Sequence, residues 1–157
     1  MKPIAEILET VNHFRRTIPV DVEGLALALG IRVNKVFLPE TVSGLIQKMG
    51  GDRDEISVNA KHPETRQRFT IAHELGHFVL HRFMMGDGNA DDCAYRSNGS
   101  FKNNKIGPRE ETEANKFAAN LLMPAEETVK ISATMPTIGA AKKFKVSEGA
   151  MKIRLGR

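Results

Sequence analysis

The stretch from Arg68 to His81 of this 157-residue chain, Arg-Phe-Thr-Ile-Ala-His-Glu-Leu-Gly-His-Phe-Val-Leu-His, restricts the fold more than any other. His73 and His77 are four residues apart, so on a helix of 3.6 residues per turn their imidazoles leave one face a turn apart and can converge on one metal ion. Glu74 leaves the helix at an angle to both, which sets its carboxylate beside a metal rather than on it. That is the place of a general base. Phe69, Ile71, Ala72, Leu75, Phe78, Val79 and Leu80 surround these three residues, and a helix apolar nearly all round is expected to be buried. Two histidines and a glutamate in a buried helix need partners, and a metal satisfies all three together. The plainer alternative is a solvated face that happens to hold His and Glu.

A catalytic zinc takes three protein ligands and keeps one position open. The third ligand is sought downstream, where Pro108 suits a first helical turn, the acidic run Glu110, Glu111 and Glu113 suits its positive end, and Pro124 closes the segment. Ala114, Phe117, Ala118, Leu121 and Leu122 form a buried stripe, with Glu110 and Glu111 one turn before it. His-Glu-Leu-Gly-His followed by Glu111-x-Glu113-Ala114-Asn115-x-Phe117-Ala118-Ala119-x-Leu121-Leu122-Met123-Pro124 resembles the ImmA/IrrE family of zinc metallo-endopeptidases. The resemblance is strong in the two motif helices, extends over about Ile56 to Pro124, and is looser outside. It implies an α+β fold with a zincin-like metallopeptidase core, a small antiparallel sheet packed on helices, and C-terminal helices like a helix-turn-helix. It also implies one zinc ion per chain on His73, His77 and Glu111. Asn115 lies one turn after Glu111 on the same face, where it can hydrogen-bond a ligand imidazole. Glu113, ~200° round the helix from Glu111, is the second candidate for third ligand. Glu110 is the next, with a solvated face as its plainer reading.

Length and 41% hydrophobic residues suit a single core, hence one metallopeptidase domain over 1–157. Its parts are N-terminal helices (1–30), a β-meander (31–60), the zinc-binding helices with a cleft loop (61–124) and C-terminal helices (125–157). No run of about 18 apolar residues and no leader pattern is present, so a cytoplasmic protein without a membrane partner is expected. The single cysteine, Cys93, excludes an internal disulfide and reads as an incidental thiol. The net charge of +4 owes much to Lys142, Lys143, Lys145, Lys152, Arg154 and Arg157. A basic helical tail is most simply a solvated face, and direct DNA binding is not expected.

Along the chain, helices are expected over Pro3 to Arg16 and Glu23 to Leu29, then strands over 31–37, 43–49 and 55–59 as an antiparallel meander. An edge strand beside the motif helix can accept a substrate as an added strand, and Ile56, Ser57, Val58 and Asn59 are the candidates, with an ordinary strand as the even alternative. His62 reads as a surface residue. The long polar segment from Phe83 to Gly107 reads as the rim of a cleft. It carries Tyr95 and Arg96, candidate donors to an oxyanion, although Tyr95 suits an anchor for the loop equally well. His81 continues the line of 73 and 77, but the outer two are ~12 Å apart along the axis and cannot share one tetrahedral ion. A partner behind a ligand, a transition-state donor, or a histidine facing the C-terminal dipole are its readings. Ile138 to Leu155 reads as two helices with a turn at Val146-Ser147, packed onto the core.

The function so implied is a zinc-dependent endopeptidase in which Glu74 takes a proton from water and later passes it to the leaving amine. The resemblance implies a protein substrate, a helix-turn-helix repressor encoded nearby, whose cleavage relieves repression of mobile-element or stress genes. The competing reading is a zinc-fold regulatory module that binds a repressor or antitoxin-type partner without cutting it. Such a module has no need of the base at Glu74.

Overall fold

The computed structural model describes all residues except 1, 50, 52, 85–93 and 98–105, and only the backbone of Ala94–Ser97. The elements run α1 (Ile4–Phe14), α2 (Val22–Ala28), β1 (Ile31–Val36), β2 (Val42–Lys48), β3 (Asp54–Asn59), α3 (Glu64–His81), β4 (Ala94–Ser97), α4 (Pro108–Leu122), α5 (Ala125–Ser132), α6 (Thr137–Phe144) and α7 (Glu148–Leu155). The chain is α+β, with helices packed around one small sheet.

The sheet is mixed, in the order β1-β3-β2-β4, and not an antiparallel meander. β3 inserts between its predecessors, parallel to β1 and antiparallel to β2. Burial explains the order. β1 carries exposed Arg32 and Lys35 and suits an edge, whereas Ile56 and Val58 of β3 are fully buried and suit the middle. Asn59 pins the β1–β2 connection across the end of β3: its Nδ2 donates to Val42 O at 2.9 Å, Pro39 O at 3.1 Å and Leu38 O at 3.2 Å. His62, expected at the surface, is buried against the same connection, 3.3 Å from Glu40 O. A fourth strand, β4, lies inside the segment read as loop and pairs antiparallel with β2.

α3 crosses the sheet on β2 and β3 and packs α4 on its other side. Every residue from Thr70 to Phe78 is buried, as the all-round apolar pattern requires. In α1, Ile7 and Val11 reach the core while Ile4 and Leu8 stay exposed. Asp21 caps α2, accepting from Gly24 N at 2.9 Å. At the C-terminus Phe144 and Met151 are fully buried, and Ser147 caps α7 by accepting from Ala150 N. Arg68 of α3 donates to the carbonyls of Lys145 and Phe144 where α6 ends, and Arg154 donates to Met123 O at 3.0 Å. α6 and α7 are thereby fastened to the motif helices.

Candidate metal centre

His73 and His77 are fully buried on α3, with Nε2 atoms 3.1 Å apart. Glu111, in the first turn of α4, brings Oε2 within 3.1 Å of His73 Nε2 and Oε1 within 3.1 Å of His77 Nε2. The three ligating atoms lie within 4.8 Å of one another, a set that one ion can bridge. Their chemistry suits a divalent transition metal: two imidazoles and a carboxylate, three ligands in all, is the donor set of a zinc site with an open position. Each imidazole turns Nε2 inward because its Nδ1 is engaged elsewhere. Nδ1 of His73 lies 2.8 Å from Asn115 Oδ1, and Nδ1 of His77 lies 3.0 Å from His81 Nδ1. Glu74 is fully buried beside them, near enough for its charge to act on His77.

Charge in the cluster is self-consistent. Burial opposes ionisation of the Glu111 carboxyl, but hydrogen bonds from His73 and His77 outweigh it and lower its pKa from 4.5 to about 2. Burial likewise pushes His77 down, yet the Glu111 hydrogen bond and the charges of Glu74, Glu111 and Glu110 raise it above its ordinary 6.5. Carboxylates here favour a positive charge among them, held by a proton on His77 or by a cation.

Two glycines set the geometry. A Cβ on Gly76 would stand 3.1 Å from Ala114 Cα and 3.2 Å from Ala114 O, so the absent side chain lets α4 lie against α3 one turn beyond Glu111. A Cβ on Gly44 would stand 2.6 Å from Thr70 Cγ2, so β2 passes equally close to α3.

The other glutamates of α4 point elsewhere. Glu110 Oε2 accepts from Gly107 N at 2.9 Å and caps its own helix. Glu113 Oε2 meets His81 Nε2 at 3.1 Å, and its Oε1 accepts from Arg109 Nε at 2.8 Å. His81 is buried between His77 and Glu113 instead of facing the end of its helix. Its partner on another helix could not be read from one helix alone. Ile56, Ser57, Val58 and Asn59 do not form an edge: both sides of β3 are hydrogen-bonded within the sheet, leaving no groups for an added strand. Tyr95 and Arg96 lie on β4, whose side chains fall outside the described residues, as does all of Cys93. Beside the site, Phe69, Asn115, Lys116 and Ile153 line an open groove of 380 Å³, with Ile153 82% exposed.

An α+β domain in which a buried His-Glu-x-x-His helix and a glutamate of the next helix converge on one point has the architecture of a zincin-like metallopeptidase domain. A peptidase family described as the IrrE N-terminal-like domain matches residues 26–156, and the chain belongs to this family. No curated protein matches the chain. Among the described residues, no helix is long and apolar enough to cross a membrane.

Proposed function

We propose that this chain is a zinc-dependent endopeptidase acting on a protein substrate, a helix-turn-helix transcriptional repressor encoded nearby, in the cytoplasm. The observation that carries the reading is the buried carboxylate of Glu74 beside the cluster of His73, His77 and Glu111. A structural metal site has no use for a fourth, non-ligating acid.

His73, His77 and Glu111 would hold the ion, with Asn115 accepting from His73 Nδ1 to fix that ring. When bound, zinc supplies a Lewis acid for the scissile carbonyl and lowers the pKa of water. Glu74 accepts the proton of the attacking water and returns it to the leaving amine. Its burial keeps the carboxylate close to the reacting atoms and away from bulk water. Among the described residues, the outer strand of the sheet nearest α3 is β4, which borders β2 where Gly44 lies against Thr70, three residues before His73, and its edge suits a substrate backbone. The exposed apolar groove around Ile153 suits a side chain of the substrate.

The test is to incubate the zinc-loaded protein with the neighbouring repressor and weigh the products by mass spectrometry. One defined cut that a chelator abolishes and zinc restores is expected. A stable complex with an intact repressor would instead identify a docking module.

A further inference from the structure

His81 has one nitrogen against a candidate ligand and the other against a carboxylate of the facing helix. Nδ1 lies 3.0 Å from His77 Nδ1, and Nε2 lies 3.1 Å from Glu113 Oε2. The ring is 3% exposed, so these contacts are made away from competing water. We propose that His81 and Glu113 form a positioning relay that locks His77 in the tautomer and orientation that ligate metal through Nε2. The proposal rests on the metal site put forward above.

With a cation held by His73, His77 and Glu111, one assignment of protons satisfies every contact. His77 Nε2 faces His73 Nε2 and Glu111 Oε1 and donates to that carboxylate when no cation is held; to ligate a metal there it would offer a lone pair on Nε2 and keep its ring proton on Nδ1. Among the described residues, that proton goes to His81 Nδ1, which is then an acceptor. His81 therefore carries its own proton on Nε2 and donates it to Glu113. The carboxylate is in turn held from behind by Arg109, whose Nε donates to Glu113 Oε1 at 2.8 Å. The opposite tautomer of His77 would direct a proton at a bound metal and, against a His81 protonated on Nε2 alone, would bring two bare Nδ1 lone pairs together.

The two ligand histidines thus have unequal support. His73 leans on a neutral amide, Asn115, while His77 leans on an imidazole backed by a carboxylate. Hydrogen bonding to a carboxylate fixes the ring of a ligand histidine and raises its basicity, and outer partners of this kind are worth about 10–100-fold in metal affinity. The relay also returns from α3 to α4, so it joins the two helices once more, beside the joints that Glu111 and Asn115 make. Glu113 contributes to the site without ligating.

The experiment uses the full chain as wild type, His81→Leu, His81→Asn and Glu113→Gln. Zinc affinity is measured by chelator competition, the visible absorption is recorded with cobalt(II) in place of zinc, and the unfolding midpoint is taken without metal. Leu keeps bulk but offers no acceptor, whereas Asn places Oδ1 near the position of His81 Nδ1. Zinc affinity should fall about 10–100-fold in His81→Leu and recover most of that in His81→Asn. In Glu113→Gln, a conservative change at a partly exposed side chain, it should fall several-fold with an altered cobalt band and an unchanged metal-free midpoint. Wild-type affinity in both His81→Leu and Glu113→Gln overturns the relay, as does equal weakening by Leu and Asn with a lowered metal-free midpoint, which would mark a packing residue. A wild type that takes up neither zinc nor cobalt overturns the metal site itself and the relay with it.

Discussion

A carboxylate held at about 2 between two imidazoles binds its proton far less readily than a glutamate in water. Depression of the Glu111 pKa means that its stabilising contribution to the metal-free protein is present above 4.5 and is lost as pH falls toward 2. His77 has the opposite sign. Its raised pKa contributes below 6.5 and that contribution is lost as pH rises through the raised value. The cluster therefore supports the metal-free fold best between 4.5 and 6.5. Denaturant titrations of wild type and Glu111→Gln without metal should differ most in that window, and a difference independent of pH would contradict the charge assignment. With metal, protons compete for His77, so zinc affinity should fall as pH drops through the neutral range. Glu111→Gln should cost more than the ~10–100-fold typical of an outer partner, measured by the same competition. Which residues come together was partly legible. His73 and His77 share a face by spacing within one helix, and Asn115 stands one turn from Glu111. Three glutamates within four positions of α4 could be told apart only by their partners: Glu110 takes Gly107 N, Glu113 takes His81, and Glu111 faces the two histidines.

Between elements, the contact of α3 with α4 governs whether Glu111 reaches the histidines, and Gly76 sits where a Cβ would press on the backbone of α4. Alanine at this position gains ~1 kcal/mol of helix propensity but meets the backbone of Ala114, and overpacking costs about 1–3 kcal/mol. Gly76→Ala should lower both the thermal midpoint and zinc affinity, read by calorimetry and chelator competition. A raised midpoint with unchanged affinity would show that α4 yields freely. The helices were legible because apolar period and caps are local, as Asp21 and Ser147 show. The sheet was not, because strand order is a long-range property. Ile56 and Val58 alternate alike in a central or an edge strand, and only the insertion of β3 between β1 and β2 decides the matter. β4 escaped notice because four residues in a polar segment carry too little pattern.

Across the whole molecule, the His73, His77 and Glu111 cluster ties α3 to α4, and both are fastened to the C-terminal helices through Arg68 and Arg154. Metal that binds only the folded chain stabilises it by about 4 kcal/mol at a free concentration a thousand times its Kd. Chelation should therefore lower the thermal midpoint by roughly 10 °C in a protein of this size. An unchanged midpoint would mean that the site is not filled in the folded protein. The buried Phe144 and Met151 commit the inner faces of α6 and α7 to the core, which agrees with their resemblance to a helix-turn-helix being one of packing. The division of labour between ligands and base is tested most directly by Glu74→Gln, with bound zinc and cleavage of the neighbouring repressor measured on the same preparation. Zinc near one per chain with cleavage slowed roughly 10²–10⁴-fold is expected, since only the proton transfer is lost. Cleavage at the wild-type rate with zinc retained would show that Glu74 is not the base.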